Sequence, residues 1–323
     1  MVKVQPSWTS VRASCQETCF ELTSIVQPRV FRRTIFSKLQ KAASTGWGLI
    51  IDAVAAETGL ISKDKAKERA TQTLQSIDSN WPRDSNGWFA HWSGRDFGVG
   101  GEYSTIDSAI MISGAYFAAN YFKDPTMTQL AKSIGNTPNY STIFPPDTNN
   151  RMYMISNGAN GMAAQTAPFN EYYILAYLAK MHETEGTTAS SFFEECFGTT
   201  DKPVGRGDKP FFTNYNGHEM MSDYNHYITT FTVQFPFFAC KAFHDNPWYM
   251  NTLYPNWYQA ERDFWTRSDG ANADWSAVDA SWGVSGLANR AFGAGAGDSP
   301  AGYFVQDPSR TRLSISNLFN IIE

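Results

Sequence analysis

Apolar and small residues recur every three or four positions along most of the chain, which is the spacing of helices with a buried face. The longest such stretch is 103–122. Four of its residues share one face of the predicted helix: Ile106, Ile110, Ser113 and Phe117. Small residues in the same stretch, such as Gly114, would let a neighbouring helix approach closely. We expect one long helix here, around which the rest of the chain is organised.

The same spacing predicts paired helices on both sides of this stretch. Helices at 42–58 and 63–77 would form a hairpin, in which Gly59 ends the first helix and Ser62 caps the second. Further helices are predicted at 126–134, 169–180, 189–196, 227–243 and 247–265, with a last one starting at 312. No stretch alternates convincingly as a strand, so the fold class is all-α.

The loops between the helix pairs are long and rich in Asn, Pro and Gly. They are predicted at 136–167, 201–223 and 274–308. Loops of this length in compact domains are usually functional. No linker or change in composition divides the chain after its start, so we expect an N-terminal extension at 1–38 and a single domain at 39–323.

The composition is that of a globular protein, with 42% hydrophobic and 18% charged residues. Aromatic residues make up 15% and lie near Gly, Asn and Asp, as in sugar-binding clefts, although they could equally fill a large core. The net charge is −5 and no basic stripe is present, which argues against a nucleic-acid partner. No apolar run is long enough to span a membrane.

Four cysteines are present, at Cys15, Cys19, Cys196 and Cys240. They match no zinc-binding pattern, and Cys240 lies in an apolar run that predicts a buried thiol. The cysteine count does not determine the compartment. The first 30 residues are polar and lack the apolar core of a signal peptide, so a secreted or periplasmic location would require that a signal peptide had been removed.

Seven motifs follow one another in an order typical of a known family. They occupy 46–53, 65–74, 87–92, 102–109, 170–179, 210–215 and 282–285. In this order they resemble the glucoamylase-like glycoside hydrolases, which include the bacterial endo-β-1,2-glucanases. The resemblance covers roughly residues 40–320, and the order of the motifs carries it more than any single one.

The resemblance implies a fold and an activity. The fold is an (α/α)6 toroid of inner and outer helices with long loops at one end. The activity is hydrolysis of β-1,2-glucan with no metal or organic cofactor, by an inverting mechanism in the endo-acting members, of which we expect this chain to be one. We also expect a monomer with an oligo- or polysaccharide substrate. One segment departs from the family pattern: 284–300 carries an apparent insertion, in which Asp298 is the best candidate for a displaced carboxylate.

Glycoside hydrolysis requires a protonated acid at the leaving oxygen and a second carboxyl group. Glu171, next to Asn170 and among aromatic residues, is the candidate acid. The alternative is an ordinary acid in the first turn of a helix. A helix N-terminus lowers a carboxyl pKa, so burial or a nearby carboxylate would have to raise it for catalysis.

Four further carboxyl groups are candidates for the site. Asp107 and Glu102 could orient water, bind a hydroxyl group or raise the pKa of Glu171. Asp107 could instead only complete a capping box with Ser104. Asp298 is the candidate base, or a turn residue, and Asp223 is a reserve carboxylate.

Aromatic and histidine side chains could line sugar subsites, although each could instead be core or rim. These candidates are Trp88, His91, Trp92, Tyr215 and Trp282. A metal site around His218 and His226 is not favoured, because the spacing matches no helical zinc motif.

Two other functions remain open at this level. One is a catalytically inactive carbohydrate-binding protein on the same fold. The other is a polysaccharide lyase or epimerase, because helical toroids also serve those chemistries. A lyase needs a Tyr or His base and a cation to neutralise a uronate, and the scarcity of clustered arginine argues against it.

Overall fold

The computed structural model describes ten segments of the chain. They are 40–93, 102–146, 150–166, 169–182, 188–198, 202–203, 212–221, 230–266, 296–299 and 302–305. All of them fall in one compact unit, Leu39–Glu323. The predicted extension at 1–38 and the helix predicted from 312 lie outside the described residues.

The described part of the chain is mostly helical, as predicted. Its α-helices are α1 Ala42–Glu57, α2 Lys63–Asn80, α3 Thr105–Phe122, α4 Pro125–Gly135, α5 Tyr173–His182, α6 Thr188–Cys196, α7 Phe231–Ala239, α8 Lys241–Asp245 and α9 Tyr254–Thr266. None of the helices in the described segments is long and apolar enough to cross a membrane.

The described segments also contain short strands, which the sequence reasoning did not predict. They are β1 Gln40–Lys41, β2 Trp92–Ser93, β3 Tyr103–Ser104, β4 Tyr153–Ser156, β5 Met162–Gln165, β6 Phe212–Tyr215, β7 His218–Met221, β8 Ala296–Ser299 and β9 Gly302–Val305. β1 pairs with β2, β3–β4–β5 form one sheet, and β6–β7 and β8–β9 are hairpins, all antiparallel. Strands of two to four residues are too short to show a readable alternation.

Helix α3 lies at the centre of the fold and packs against α1, α4 and α5. The sequence predicted one buried face, but the helix is buried nearly all round. Met111, Ile112 and Ala115 are fully buried although they lie off the predicted face, whereas Phe117, which lies on it, is only partly buried. A helix that is apolar on every side is expected in such a central position.

The closest helix contact is between α1 and α3, and two glycines make it possible. A Cβ placed at Gly114 would lie 2.2 Å from the carbonyl oxygen of Gly46. A Cβ at Gly46 would lie 2.4 Å from the carbonyl oxygen of Ile110. The predicted close approach through the small residues of α3 is therefore confirmed. The two helices are so close at this point that the backbone of one packs directly against the backbone of the other.

The predicted helix ends of the first hairpin are also confirmed. Gly59 follows α1 with φ of 76°, a conformation that glycine adopts at little cost. The Ser62 side chain caps α2 by accepting a hydrogen bond from the Lys65 amide. The short link between the two ends makes α1 and α2 antiparallel neighbours.

The helix predicted at 227–243 is divided into α7 and α8, whereas the helix predicted at 247–265 is continuous but contains one wider turn. Two prolines explain these irregularities. Pro236 lies inside α7, and Pro255 stands at the start of α9, where its missing N–H leaves the preceding turn free to widen. That turn, Tyr249–Leu253, is a π-helix. Cys240, between α7 and α8, is 6% exposed, as predicted, and burial raises the pKa of its thiol to about 11.

Candidate active site

The main chain of His91 is held between two other segments. Its amide donates a hydrogen bond to the carbonyl of Glu102 at 2.8 Å. Its carbonyl accepts a hydrogen bond from the amide of Ala42 at 3.0 Å, at the start of α1. The residue is therefore fixed against both the segment that leads into α3 and the first turn of α1.

The side chain of His91 lies between two carboxyl groups. Its Nδ1 is 3.8 Å from Glu102 Oε1, and its Nε2 is 3.7 Å from Asp107 Oδ1. Three of the residues predicted for the site are thus brought together. The His91 ring also stacks on Trp92, with ring centres 4.7 Å apart.

The two carboxylate oxygens of Asp107 have different partners. Ser104 Oγ accepts a hydrogen bond from the Asp107 amide at 3.2 Å and donates one to Asp107 Oδ2 at 2.5 Å. Ser104 is thus the N-cap of α3, but Asp107 binds its hydroxyl group where a capping box would use its amide. The second carboxylate oxygen, Oδ1, faces His91. One oxygen therefore stabilises the helix end, and the other is available to the site.

Glu171 lies in a turn before α5, not within the helix as predicted. Helix α5 begins at Tyr173. Asn170 fixes the turn, because its Oδ1 accepts a hydrogen bond from the Tyr172 amide at 2.9 Å and its carbonyl accepts one from the Tyr173 amide at 3.1 Å. The turn places Glu171 close enough to Asp107 for their charges to interact.

The pKa of Glu171 is raised to about 7. Burial of the carboxyl group is the largest cause, although the residue as a whole keeps partial exposure. A hydrogen bond from its own backbone amide lowers the pKa, and the negative charge of Asp107 raises it again. Burial and the neighbouring carboxylate therefore outweigh the effect that lowers this pKa.

Tyr172 is a site residue that the sequence reasoning did not identify. It is 2% exposed, and burial raises the pKa of its hydroxyl well above the usual range. The charges of Glu171, Asp107 and Glu102 raise this pKa further, and a side-chain hydrogen bond with Thr105 lowers it. The available signal was a tyrosine directly after the candidate acid.

We call Glu102, Asp107, Glu171, His91 and Tyr172 the acid group. The charges that act on Glu171 and on the Tyr172 hydroxyl from within it are all negative. Its members are graded in exposure: the Glu102 side chain is 48% exposed, that of Asp107 16%, and Tyr172 is buried. The arrangement can supply a neutral proton donor at its buried side and carboxylates towards solvent.

The prediction that Trp88 contacts sugar is wrong. Trp88 is fully buried, its Nε1 donates a hydrogen bond to Thr142 Oγ1 at 3.1 Å, and its ring meets the edge of Tyr140. Its amide donates to Asp84 Oδ1 at 2.9 Å. Trp88 is a core residue that anchors the loop leading to His91.

Two other aromatic candidates remain partly exposed. Trp92 stacks on His91 and carries Lys41 Nζ over its ring at 4.2 Å. Tyr215 lies in the β6–β7 hairpin, opposite His218 across an Asn216-Gly217 turn. An Asn-Gly pair with positive φ is a strong hairpin signal that was read only as loop. This hairpin packs against α9.

Of the three remaining candidates, Asp298, Asp223 and Trp282, the described residues include Asp298. Asp298 lies in strand β8, opposite Tyr303, so its interpretation as a turn residue is wrong. The hairpin turn follows Ser299 instead. Asp223 and Trp282 lie outside the described residues.

The described segments hold no group of three His, Cys, Asp or Glu side chains that could bind a metal ion. His218 Nε2 instead faces Asp263 Oδ2 at 3.1 Å, and Asn216 Nδ2 donates to the same oxygen at 2.8 Å. Glu219 pairs with Lys202 at 2.7 Å. These contacts tie the β6–β7 hairpin to its neighbours.

A surface depression of about 320 Å³ lies elsewhere, along the exposed side of α2. Lys67, one of its lining residues, pairs with Asp124 just after the C-terminal end of α3. Asp107 is at the opposite end of this helix of 18 residues, which is ~27 Å long at the usual rise. The depression is therefore separate from the acid group.

Neither family models nor curated protein sequences match this chain. Solved structures do. A candidate glucoamylase from Bacteroides uniformis is 17% identical with a TM-score of 0.60, and the match covers 95% of this chain and 75% of that one.

Two β-1,2-glucanases match as well. The endo-β-1,2-glucanase from Chitinophaga pinensis, solved with sophorotriose and glucose, is 19% identical with a TM-score of 0.51, over 83% of this chain and 63% of that one. The β-1,2-glucanase from Parabacteroides distasonis is 15% identical with a TM-score of 0.53, over 84% and 40%. The chain thus shares the fold of glucoamylase-like proteins, while spanning less than two thirds of either glucanase.

Proposed function

We propose that the chain is a glycoside hydrolase that cleaves β-1,2-linked glucan, with Glu171 as the general acid. The observation that carries this proposal is the buried Glu171 carboxyl, whose pKa is raised to about 7 beside Asp107. A general acid is most effective when its pKa lies near the working pH. Most glycosidases use two catalytic carboxyl groups that lie in different environments.

Asp107 has two roles in this proposal. Its charge helps to keep Glu171 protonated in the free enzyme. Its free oxygen, Oδ1, faces His91 and is available to a substrate hydroxyl or to water. Glu102 is the most exposed of the three carboxyl groups and is suited to contact a sugar at the solvent side.

The finer features of the proposal rest on the fold and on the motif order. We propose that the helix pairs belong to an (α/α)6 toroid, and that cleavage is endo-acting and inverting, with Asp298 as the candidate base. The fold shared with proteins named as β-1,2-glucanases supports the choice of linkage. The substrate is a neutral glucan, and the proposed enzyme acts as a monomer without metal or organic cofactor.

The electrostatics of the acid group disfavour the lyase alternative. A lyase has to neutralise the carboxylate of a uronate, whereas the charges acting on Glu171 and Tyr172 are negative. The pKa of Tyr172 is raised, which makes its hydroxyl a poor base at neutral pH. An inactive carbohydrate-binding protein is the second candidate, because the 284–300 segment departs from the family pattern.

Incubation with linear β-1,2-glucan, followed by chromatography of the products, tests the proposal. We expect a ladder of short oligosaccharides from β-1,2-glucan and none from β-1,3- or α-1,4-glucan. Release of glucose alone would contradict endo action. Binding without cleavage would establish the carbohydrate-binding alternative. An unsaturated product that absorbs ultraviolet light would establish a lyase.

A further inference from the structure

The imidazole ring of His91 faces a carboxylate oxygen with each of its two nitrogens. Nδ1 lies 3.8 Å from Glu102 Oε1, and Nε2 lies 3.7 Å from Asp107 Oδ1. A direct hydrogen bond between nitrogen and oxygen would span about 2.7–3.2 Å. Both pairs are therefore close enough for their charges to interact but too far apart for a direct hydrogen bond.

The two nitrogens differ in their access to solvent. Nδ1 is a buried atom without a hydrogen-bond partner among the described residues. A ligand therefore reaches the ring through Nε2, on the side of Asp107. The side chains of His91 and Asp107 are 23% and 16% exposed, so this pair stays partly open to solvent.

Both members of the pair are held in place. The main chain of His91 is hydrogen-bonded on both sides, and its ring stacks on Trp92 with an angle of 15° between the planes. The other oxygen of Asp107 accepts a hydrogen bond from Ser104 Oγ at 2.5 Å. Nε2 and Oδ1 therefore face each other across a fixed distance.

That distance fits one oxygen between the two atoms, about 2.8 Å from each. The Glu102 carboxylate can only accept a proton, so we assign the proton of the neutral ring to Nδ1, which leaves Nε2 as an acceptor. Asp107 Oδ1 is an acceptor too. A water molecule has two protons and can donate to both atoms, whereas a sugar hydroxyl group has one proton and can donate to one of them.

We propose that His91 Nε2 and Asp107 Oδ1 together bind one water molecule, and that His91 is a positioning residue for the water that hydrolysis consumes. This inference rests on the proposed function and assigns a role within the same site. When the glycosidic bond is cleaved, the oxygen of the water bonds to the anomeric carbon and its proton passes to the general base, while Glu171 gives its own proton to the leaving oxygen. A water that is already held in place does not have to be ordered at the moment of reaction.

Two substitutions of His91 distinguish its nitrogens. The amide of glutamine reaches the place of Nε2, whereas that of asparagine, one carbon shorter, reaches only the place of Nδ1. We expect His91→Gln to keep kcat within about threefold and His91→Asn to lower it about tenfold, the effect of losing one hydrogen bond. Steady-state rates on linear β-1,2-glucan and melting temperatures of both variants and the wild type measure this.

The two variants are matched, because both lose the ring that stacks on Trp92. The opposite order of rates would overturn the inference, since it would show that the buried Nδ1 is the important atom and that His91 only supports the fold. Equal rates in the two variants, at any level, would overturn it as well.

Calorimetry with a β-1,2-linked glucotriose tests whether the pair holds water or sugar. It compares the Glu171→Gln and Glu171→Gln/His91→Asn proteins. Equal affinity supports the proposal, because Nε2 then makes no contact with the sugar. About tenfold weaker affinity in the second protein would assign Nε2 to a sugar hydroxyl group and overturn the proposal.

A crystal structure of the wild-type protein separates this inference from the proposed function, because it requires no turnover. We expect an ordered water oxygen about 2.8 Å from both His91 Nε2 and Asp107 Oδ1. Such a water in a chain that cleaves no glucan would support the water site and refute the hydrolase. A chain that cleaves glucan without such a water would refute the water site alone, and a chain with neither would refute both.

Discussion

Two buried acids in this molecule have opposite electrostatic surroundings. Asp52, on α1, is 6% exposed and faces Arg69 of α2, with Oδ1 and Nη2 3.1 Å apart. Burial raises the pKa of Asp52, and the charge of Arg69 lowers it. For Glu171, burial also raises the pKa, but the neighbouring charge is Asp107, which raises it further.

The difference separates a structural acid from a functional one. Asp52 was buried together with a counter-charge, which joins the two helices of the first hairpin. Glu171 was buried beside a like charge, an arrangement that costs stability and that packing alone does not explain. Buried acids with a carboxylate neighbour are typical of catalytic sites, where a proton has to be retained near neutral pH.

The largest expected effect is that of Glu171→Gln on turnover. The amide keeps the shape but cannot donate the proton, so cleavage of an unactivated glucan should fall by about 10²–10⁴-fold. Binding of the glucan should survive, because the acid acts mainly in the transition state. Product chromatography and calorimetry on the same preparation measure both. A variant with wild-type turnover would refute the assignment of the acid.

The same substitution should stabilise the protein in alkaline solution. The pKa of Glu171 is about 7 in the folded state against an ordinary value of 4.5, so the folded state holds the proton more tightly. This favourable contribution is complete below pH 4.5 and is lost as the pH rises to about 7. At pH 8, Glu171→Gln should therefore gain up to about 3 kcal/mol over the wild type, and little at pH 4.5. Denaturant titrations at the two pH values measure the difference.

Asp107→Asn should have the next largest effect, and it tests the like-charge contact directly. Without the charge of Asp107, the pKa of Glu171 falls below about 7, and the loss of activity on the alkaline side moves to lower pH. Stability should change by about 1 kcal/mol or less, since an amide oxygen can still accept the Ser104 hydrogen bond.

The measurement is the pH profile of kcat/KM together with the melting temperature. If the melting temperature falls while the profile and turnover stay unchanged, Asp107 is only a capping residue. The wild-type protein under the same buffers is the control for pH effects on the substrate.

Arg69→Ala should have the smallest effect and should be limited to stability. It leaves Asp52 buried without its counter-charge, but the Arg69 side chain is 57% exposed, so solvent screens the pair. We expect a loss of about 1–2 kcal/mol at pH 7 with unchanged kcat/KM. Asp52→Asn should be near neutral, because it removes the buried charge itself. A fall in turnover with Arg69→Ala would show that the two acids are not independent.

Local sequence rules predicted the helices well where caps and small residues mark them. Gly59, Ser62 and Ser104 fix helix ends through contacts within a few residues, and such contacts can be read directly from a sequence. The break after Pro236 and the π-helical turn before Pro255 were missed because apolar spacing continues through both prolines. The short strands were missed because their pairing depends on segments far apart in the chain, such as Gln40 and Ser93.

The site was partly predictable for the same reasons. Motif order identified Glu171, Asp107, Glu102 and His91, which the fold does bring together. The burial of individual side chains could not be predicted, and it accounts for the two main differences between the predicted and the observed site. It removed Trp88 from the list of sugar contacts and added Tyr172 to the site. A tryptophan in a glycine-bounded loop and a tyrosine in a helix start give no sign of which one faces a ligand.

The contact between Gly46 and Gly114 also restricts how this protein can change over evolutionary time. Helix α1 holds His91 through the Ala42 amide, and α3 carries Asp107, so the separation of these helices sets the gap between a histidine and a carboxylate. One added methyl group at either glycine would push the backbones apart. Both positions therefore resist substitution, and a change at either one would disturb the core and the candidate site together.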